Sequence, residues 1–221
     1  RVPNKRLVGK SGMGPHGDVI LEADWCVLEF LKEMDRLGLT ENTLVILTSD
    51  NGPVLDDGYK DEAEELVGSH KPAGPYRGWK CSRYMGGTCI PFIVRWPEVV
   101  KPGVSSAFVC QMDLLASLAA LLGQSYSDKL DSQNTLATFL GMNDKGRDEM
   151  IIEGMLNYAY RQGEWVLIPP YPLENKSYEL YNLKNDLSQQ RDLSDKYPKK
   201  VKVMLMRFEQ LKRETGKCTN Y

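Results

Sequence analysis

An aspartate and an asparagine stand side by side in the segment Thr48-Ser49-Asp50-Asn51-Gly52, directly after an aliphatic run. Asp50 and Asn51 offer a carboxylate and an amide oxygen, the hard ligands that Ca²⁺ or Mg²⁺ takes. Asn-Gly is also a common turn dipeptide, so a turn without metal is the competing interpretation. The pair alone leaves a metal site and an ordinary turn both open.

A lysine lies among glycines some thirty residues further on. Lys80 ends the segment Arg77-Gly78-Trp79-Lys80, and Tyr84-Met85-Gly86-Gly87-Thr88 follows. Glycines let a backbone approach a ligand closely, and an ammonium group suits an oxyanion such as sulfate or phosphate. A solvated loop lysine is the alternative. Lys80 is therefore a candidate anion-binding residue.

The chain has two histidines, His16 and His70. Either could act as an acid–base group, although a loop histidine is more often an ordinary polar residue. His70, within a long loop, is the better candidate of the two.

The elements that position these residues are of the α/β type. Apolar residues recur at helical spacing from Asp18 to Leu37 and predict an amphipathic helix. The continuous aliphatic and β-branched run from Thr43 to Thr48 predicts a strand buried on both faces. Ligand sites of open α/β sheets lie at the carboxyl ends of strands, which places Asp50 and Asn51 where chemistry is expected.

Residues 53–88 have no clear period and form a loop longer than structureless connections usually are, which favours a functional role. Pro91–Trp96 predicts the next strand of the sheet, also buried. Asp113–Leu122 predicts a short helix closed by a glycine, and Leu136–Leu140 a further helical turn.

The pattern changes beyond about residue 147, where short strands alternate with turn signals before a closing helix. The predicted strands are Met150–Glu153, Tyr158–Ile168 with Gly163 at its middle, and Tyr178–Leu183, and the predicted helix is Tyr197–Arg213. We expect two units: residues 1–146 belong to an α/β domain with helices flanking a mixed sheet. Residues 147–221 form a small antiparallel sheet with one packed helix.

The composition and charge of the chain limit the classes of partner that it is expected to bind. The 221 residues carry a formal net charge of −2 with 26% charged residues, and the cations form no stripe, so no nucleic acid is expected. No apolar run approaches the length of a membrane segment, and the first residues do not read as a signal peptide. Five cysteines without a Cys-x-x-Cys pair disfavour zinc. A small or polar substrate is expected.

Three segments in this order resemble the C-terminal half of arylsulfatase A-like sulfatases, in the alkaline-phosphatase-like superfamily. They are residues 42–52, Arg77–Lys80 and residues 84–97. The resemblance also takes in Ser11–Pro15 and Tyr178–Leu183, so it spans most of the chain.

The resemblance implies roles for individual residues. Asp50 and Asn51 match calcium ligands, and Lys80 matches a lysine that contacts the substrate sulfate. The formylglycine nucleophile, two further calcium-binding aspartates and the first catalytic histidine lie in an N-terminal half without counterpart here, so this chain alone is expected to be inactive. Implied with them are a sulfated small molecule or carbohydrate as substrate and a periplasmic, secreted or lysosomal location. His70 is a further candidate for substrate binding. Oligomeric state is left open.

Two positions depart from the family pattern of Glu-Gly-Gly followed by an arginine two residues on. Met85 and Cys89 stand there, and apolar groups can replace a buried ion pair at little cost. Cys89-Ile90-Pro91 begins like the nucleophile motif C-x-P-S-R but continues with Phe92-Ile93, so Cys89 is expected to act as a small hydrophobe.

Two alternatives remain open at this stage. A phosphodiesterase or phosphonate hydrolase of the same superfamily would use the same strand-end metal site. A non-catalytic module that binds carbohydrate or protein could keep the same scaffold.

Overall fold

The computed structural model describes residues 1–127, 130–155, 157–171 and 177–215, so Cys218 lies outside the described residues. The helices are α1 Gly14–Arg36, α2 Ala63–Leu66, α3 Asp113–Leu121, α4 Leu136–Phe139 and α5 Pro198–Thr215. The strands are β1 Val45–Thr48, β2 Phe92–Arg95, β3 Glu149–Glu153, β4 Tyr158–Gln162, β5 Trp165–Ile168 and β6 Glu179–Asn182. Short 3₁₀ turns occur at Thr40–Asn42 and Met85–Gly87. The α/β class is confirmed.

Helix α1 begins four residues before the predicted start. Pro15 lies in its first turn, where the missing N–H of proline leaves no hydrogen bond unmade. The carboxylate of Asp18 accepts hydrogen bonds from the Ser11 amide (3.0 Å), the Ser11 hydroxyl (2.7 Å) and the Gly9 amide (2.7 Å). Those bonds, led by the one from the Ser11 backbone, lower the pKa of Asp18. They tie the N-terminal segment to the helix.

The apolar face of α1 is largely uncovered in this chain. Ile20 and Phe30 are 44% and 55% exposed, whereas Met34 is buried. The helix itself is confirmed, but helical periodicity shows only which face is apolar.

Strands β1 and β2 pair antiparallel, with Leu47 opposite Ile93. These two residues are 40% and 55% exposed, so the expectation that both strands are buried on both faces is wrong for this chain. The physical reason is that, among the described residues, this sheet has two strands and no layer lies over the Leu47–Ile93 face. Phe139 of α4 stacks on Phe92 at 5.1 Å between ring centroids.

A buried ion pair joins α3 to the chain that enters β3. Asp113 is fully buried, and the guanidinium of Arg147 donates to both of its carboxylate oxygens, at 2.9 Å from Nε to Oδ2 and 2.5 Å from Nη2 to Oδ1. The amide of Gln133 also donates to Asp113. Removing one partner of such a pair leaves an uncompensated buried charge, so this pair strongly couples the three segments.

The C-terminal strands form one antiparallel sheet in the order β3-β4-β5-β6. Helix α5 covers one face with the buried side chains Met204 and Phe208. The other face packs against Tyr84 and Met85, which come from the long loop. The expected antiparallel sheet with one packed helix is confirmed. The unit boundary at 146/147 stays a prediction, and an apolar cluster extends across it.

Two further observations concern membrane segments and cysteines. No helix in the described ranges combines the length and the apolar character that crossing a membrane requires. Cys26, Cys81, Cys89 and Cys110 form no disulfide.

Candidate active site

Strand β1 ends at Thr48 and leads into the predicted metal-binding turn. Asp50 is exposed, and its carboxylate accepts a long hydrogen bond from the Ser49 hydroxyl (3.4 Å). The side-chain amide nitrogen of Asn51 donates to the Gly52 carbonyl (2.9 Å), which leaves the amide oxygen of Asn51 available as a ligand. Gln111 fixes the strand end by donating to the Ser49 carbonyl (2.7 Å).

Backbone hydrogen bonds bring the Lys80 segment to this turn. The Lys80 amide donates to the Pro53 carbonyl (2.8 Å), and the Gly52 amide donates to the Gly87 carbonyl (2.8 Å). The Gly86 amide donates to the Arg77 carbonyl (2.7 Å) and closes the loop that carries Lys80. Three of the segments that carried the sequence prediction are thus joined into one site.

The glycines are needed because the backbones touch. A Cβ atom on Gly52 would lie 1.8 Å from the Gly86 carbonyl oxygen, and one on Gly86 would lie 2.3 Å from the Gly78 carbonyl oxygen. No side chain larger than hydrogen fits at either position without a backbone shift. The glycine-rich sequence therefore serves the packing of the turn against the loop.

The Lys80 ammonium group is exposed. In the described part of the chain no carboxylate forms an ion pair with it. The next residue, Cys81, adopts a left-handed conformation with φ of 68°, and its carbonyl accepts a hydrogen bond from the Met155 amide (2.9 Å). A non-glycine residue in that region stores strain that the surrounding contacts must hold. The turn after Lys80 is thus fixed from the β3–β4 side.

His70 lies apart from this contact. It is exposed, and its ring lies 6.1 Å from the ring of His16, measured between centroids. No described hydrogen bond joins His70 to the Asp50–Asn51 turn or to Lys80.

His16 is buried, and its Nε2 atom has no hydrogen-bond partner among the described residues. Burial, followed by the positive charges of Arg1 and His70, lowers the pKa of His16. The pairing of the two histidines was not predictable from their sequence positions.

Met85 and Cys89 occupy the two departures from the family pattern. Met85 is buried in the apolar cluster under the C-terminal sheet, and Cys89 packs against the same cluster. The Cys89 amide donates to the Met85 carbonyl (2.7 Å). A hydrogen bond between the Tyr76 hydroxyl and the Cys89 thiol, together with burial, raises the pKa of Tyr76 to about 12. Met85 thus lies in apolar surroundings, whereas Cys89 also faces the Tyr76 hydroxyl and interacts with the charge of Arg161.

A polar network that sequence reasoning missed lies beneath the Lys80 loop. The hydroxyls of Tyr84 and Tyr181 both donate to the Glu179 carboxylate, at 2.8 and 2.7 Å. Arg83 forms an ion pair with the same carboxylate at 3.6 Å. Burial, then the hydrogen bond to Glu179, raises the pKa of Tyr84. The sequence signal here was the segment Tyr178–Leu183, which predicts a strand and nothing more.

The donors at the strand end fit a hard cation in part. Asp50 and Asn51 supply two oxygens, whereas calcium takes six to eight. Among the described residues no group of three or more His, Cys, Asp or Glu side chains could hold a metal ion. This part of the chain can contribute to a calcium site but does not complete one.

Comparison with solved structures defines the class of protein first. The chain aligns with the structure of a Bacteroides thetaiotaomicron protein of the metabolism of multiple glycosaminoglycans, which is described as "6S-sulf". The TM-score is 0.92 at 41% identity, over 96% of this chain and 48% of that chain. A Pseudoalteromonas sulfatase aligns with a TM-score of 0.76 over 99% of this chain and 46% of its own; at 21% identity it bears on the fold alone.

The sequence comparisons agree. A family model described as Sulfatase matches residues 5–124, which is more than half of the chain, and the chain therefore belongs to the sulfatase family. It is 42% identical to the N-acetylgalactosamine-6-O-sulfatase of Bacteroides thetaiotaomicron, in an alignment that covers 96% of this chain and 44% of that protein. It is 36% identical over 141 residues to the steryl-sulfatase of Rattus norvegicus, covering 62% of this chain and 24% of that one. The chain thus spans less than half the length of these relatives.

Proposed function

We propose that this chain forms the C-terminal part of a calcium-dependent sulfatase that hydrolyses a sulfate ester on a carbohydrate. Membership of the sulfatase family gives the reaction class. The 42% identical relative named for N-acetylgalactosamine-6-O-sulfate supports a 6-O-sulfated amino sugar as the substrate class.

One observation carries the proposal. The Lys80 amide is bound to the Pro53 carbonyl at 2.8 Å, so an exposed ammonium without a described ion-pair partner stands on a loop fixed to the Asp50–Asn51 turn. A cation without a carboxylate partner is free to meet an oxyanion. The matched residues of the family support the assignment of Asp50 and Asn51 to calcium.

The chain's own residues do the following. Asp50 and Asn51 would hold the cation, and calcium bound there would draw electron density from the sulfate oxygens. Lys80 lies beside the sulfate and stabilises the negative charge that grows on the bridging oxygen as the ester bond breaks. The nucleophile, a formylglycine by family resemblance, would come from residues outside this chain.

His70 is the proposed contact to the substrate outside the sulfate group. It is exposed on the same long loop, and the neighbouring His16 is buried. The ring nitrogens of an exposed imidazole can donate to or accept from sugar hydroxyls. By family resemblance we place the complete enzyme in a periplasm, a lysosome or outside the cell.

The test is the Lys80→Ala variant of the full-length protein that contains this chain, with Lys60→Ala as the control because Lys60 is an exposed lysine of the same loop. We expect kcat/KM for a 6-O-sulfated N-acetylgalactosamine to fall about a hundredfold to a thousandfold, the scale of losing one preorganised charge-stabilising group. The control should stay within about threefold. A Lys80→Ala rate within about threefold of wild type at an unchanged melting temperature would remove Lys80 from the site.

The same assay separates the alternatives. Turnover of a phosphodiester in preference to the sulfate ester would favour phosphoryl chemistry, and binding of sulfated sugar without turnover would favour a non-catalytic module. The isolated chain should hydrolyse no 4-nitrocatechol sulfate, because covalent catalysis needs the nucleophile. Turnover by the isolated chain that disappears in Cys89→Ala would instead identify Cys89 as a nucleophile.

A further inference from the structure

A glutamine in the turn after β6 is fully buried although its neighbours are polar. Gln189 has no exposed surface and adopts a left-handed backbone conformation with φ of 49°. Its amide donates to the Asp186 carbonyl (3.2 Å), and the Asp186 carboxylate holds the turn by accepting from the amides of Gln190 and Arg191 (3.1 and 2.8 Å). Burying an amide side chain costs free energy unless its polar atoms form hydrogen bonds, and the left-handed backbone adds strain.

Gln189 contacts the Lys80 segment at both ends. Its side-chain Oε1 accepts a hydrogen bond from the Met85 amide (2.8 Å). Its backbone carbonyl accepts one from the Arg77 guanidinium (3.1 Å). Arg77 lies three residues before Lys80 and Met85 five residues after it. One residue of the C-terminal part therefore fixes the two limbs of the loop that carries the candidate catalytic cation.

The contact continues to the metal-binding turn. From Met85 the chain passes into Gly86 and Gly87, whose backbones bond to Arg77 and Gly52 respectively. Met85 is buried, so without the Gln189 oxygen its amide would lose its partner away from water. A shift of Met85 would move the glycines that support both Lys80 and the Asp50–Asn51 turn.

The chemistry of the side chain points the same way. The Met85 N–H requires an acceptor, which fixes the carbonyl oxygen of the Gln189 amide toward it. The Nε2 atom of Gln189 is then buried without a partner among the described residues. A methionine, which has a similar shape and no side-chain amide, would avoid the cost of burying Nε2 without a partner. We therefore infer that this position needs the acceptor oxygen of glutamine.

We propose that Gln189 is a positioning residue that holds the Lys80 loop against the Asp50–Asn51 turn through the Met85 amide. This inference rests on the proposed function for its effect on rate. It assigns to the C-terminal part a role in the geometry of the site without contact to substrate.

The experiment compares Gln189→Met, which keeps the length of the side chain and removes the acceptor, with Gln189→Glu, which keeps an acceptor oxygen. Gln190→Met is the control, because Gln190 is the exposed neighbour. In the full-length protein, well below its melting temperature, we expect Gln189→Met to lower kcat about tenfold to a hundredfold with KM little changed, since small misplacements act mainly on the transition state. Gln189→Glu should recover part of that loss, because it restores the acceptor oxygen although it also buries a carboxylate. The control should stay within about threefold.

A merely structural role would lower the melting temperature and leave kcat unchanged in folded protein, and that result would overturn the proposal. Hydrogen–deuterium exchange read by mass spectrometry tests the geometry separately. Residues 77–87 should exchange faster in Gln189→Met and as in wild type in Gln190→Met. If wild type turns over no sulfate ester, the proposed function fails, and unchanged exchange would then also overturn the positioning role. If Gln189→Met does not fold, Gln189→Asn, with its acceptor one methylene short, takes its place with the same expected direction.

Discussion

Two regions of the molecule differ in how completely they bury their own apolar residues. The closed region, β3–β6 with α5, has fully buried side chains at Tyr160, Leu167 and Leu180. The open region, α1 with β1 and β2, leaves Phe30 and Ile93 more than half exposed. The closed region carries its own core, whereas the open region presents apolar faces that this chain does not cover.

This difference bears on the position of the candidate active site. The candidate catalytic residues lie in the open region and in the long loop, and the contacts that fix them come in part from the closed region. The chain spans less than half the length of its relatives, and the Phe30→Ala prediction below tests whether further elements cover these faces in a longer protein. The four predictions below test this contrast.

The largest effect is expected for Phe208→Ala in α5. Phe208 is 2% exposed and packs on Tyr158 and Tyr160, so its truncation should lower the free energy of unfolding by about 3–5 kcal/mol. Urea denaturation measures the change. Val203→Ala on the exposed side of the same helix (63% exposed) is the control and should change it by less than about 0.5 kcal/mol. A loss below about 1 kcal/mol for Phe208→Ala would contradict the description of Phe208 as part of a well-packed core between α5 and the sheet.

Gly52→Ala tests the contact between the strand end and the loop. The added Cβ would lie 1.8 Å from the Gly86 carbonyl oxygen, so the two backbones must separate at a cost of about 1–3 kcal/mol. Gly103→Ala is the matched control, because the nearest heavy atom there lies 3.9 Å from the added Cβ. Thermal melting of both variants is the measurement. Equal melting temperatures would show that the turn and the loop do not touch as described.

Glu149→Gln tests a polar contact between the sheet and α5. Arg207 donates to Glu149 at 2.9 Å, and this hydrogen bond lowers the pKa of Glu149. A lowered folded-state pKa stabilises the fold above the unfolded pKa, and the contribution is lost as the pH falls through the folded pKa. The free energy of unfolding of wild type, measured by urea denaturation, should exceed that of Glu149→Gln by about 1 kcal/mol at pH 7. This difference should shrink toward pH 3. A difference that grows in acid would contradict the assigned sign.

The smallest effect is expected for Phe30→Ala on α1. At 55% exposure, its truncation should change the stability of this chain by no more than about 0.5 kcal/mol. The same substitution in a full-length sulfatase should cost more if further elements cover α1. Urea titrations of both proteins give the comparison, and equal small costs would leave the open face uncovered in both.

Local patterns predicted most of the elements. The strand that ends before Asp50, the helix entered at Pro198 and the antiparallel C-terminal strands all follow from residue periods and turn residues. Periodicity shows which face is apolar but not whether its partner lies in the same chain, so the burial of β1 and β2 was predicted wrongly. Of the candidate site, Asp50, Asn51 and Lys80 could be predicted, because the segments that carry them follow one another along the sequence in the order of the family pattern.

The remaining contacts were beyond reach for a physical reason. Gln189 stands in the polar run Ser188-Gln189-Gln190-Arg191, which is typical of an exposed turn. Glu179 is one glutamate among many, and its two tyrosine partners lie in different parts of the chain. Such positions are set by tertiary packing, which overrides local preference.

The hydrogen bond between Met85 and Gln189 joins residues 104 positions apart. During synthesis at about 5–20 residues per second, the segment around Lys80 leaves the ribosome roughly 5–20 seconds before the glutamine that braces it. Through that interval the Met85 amide lacks the acceptor that it has in the folded chain. The geometry around Lys80 is therefore among the last features of this chain to form, and mutations that slow the closure of the C-terminal sheet should delay the appearance of a working site even when they leave every residue of that site unchanged.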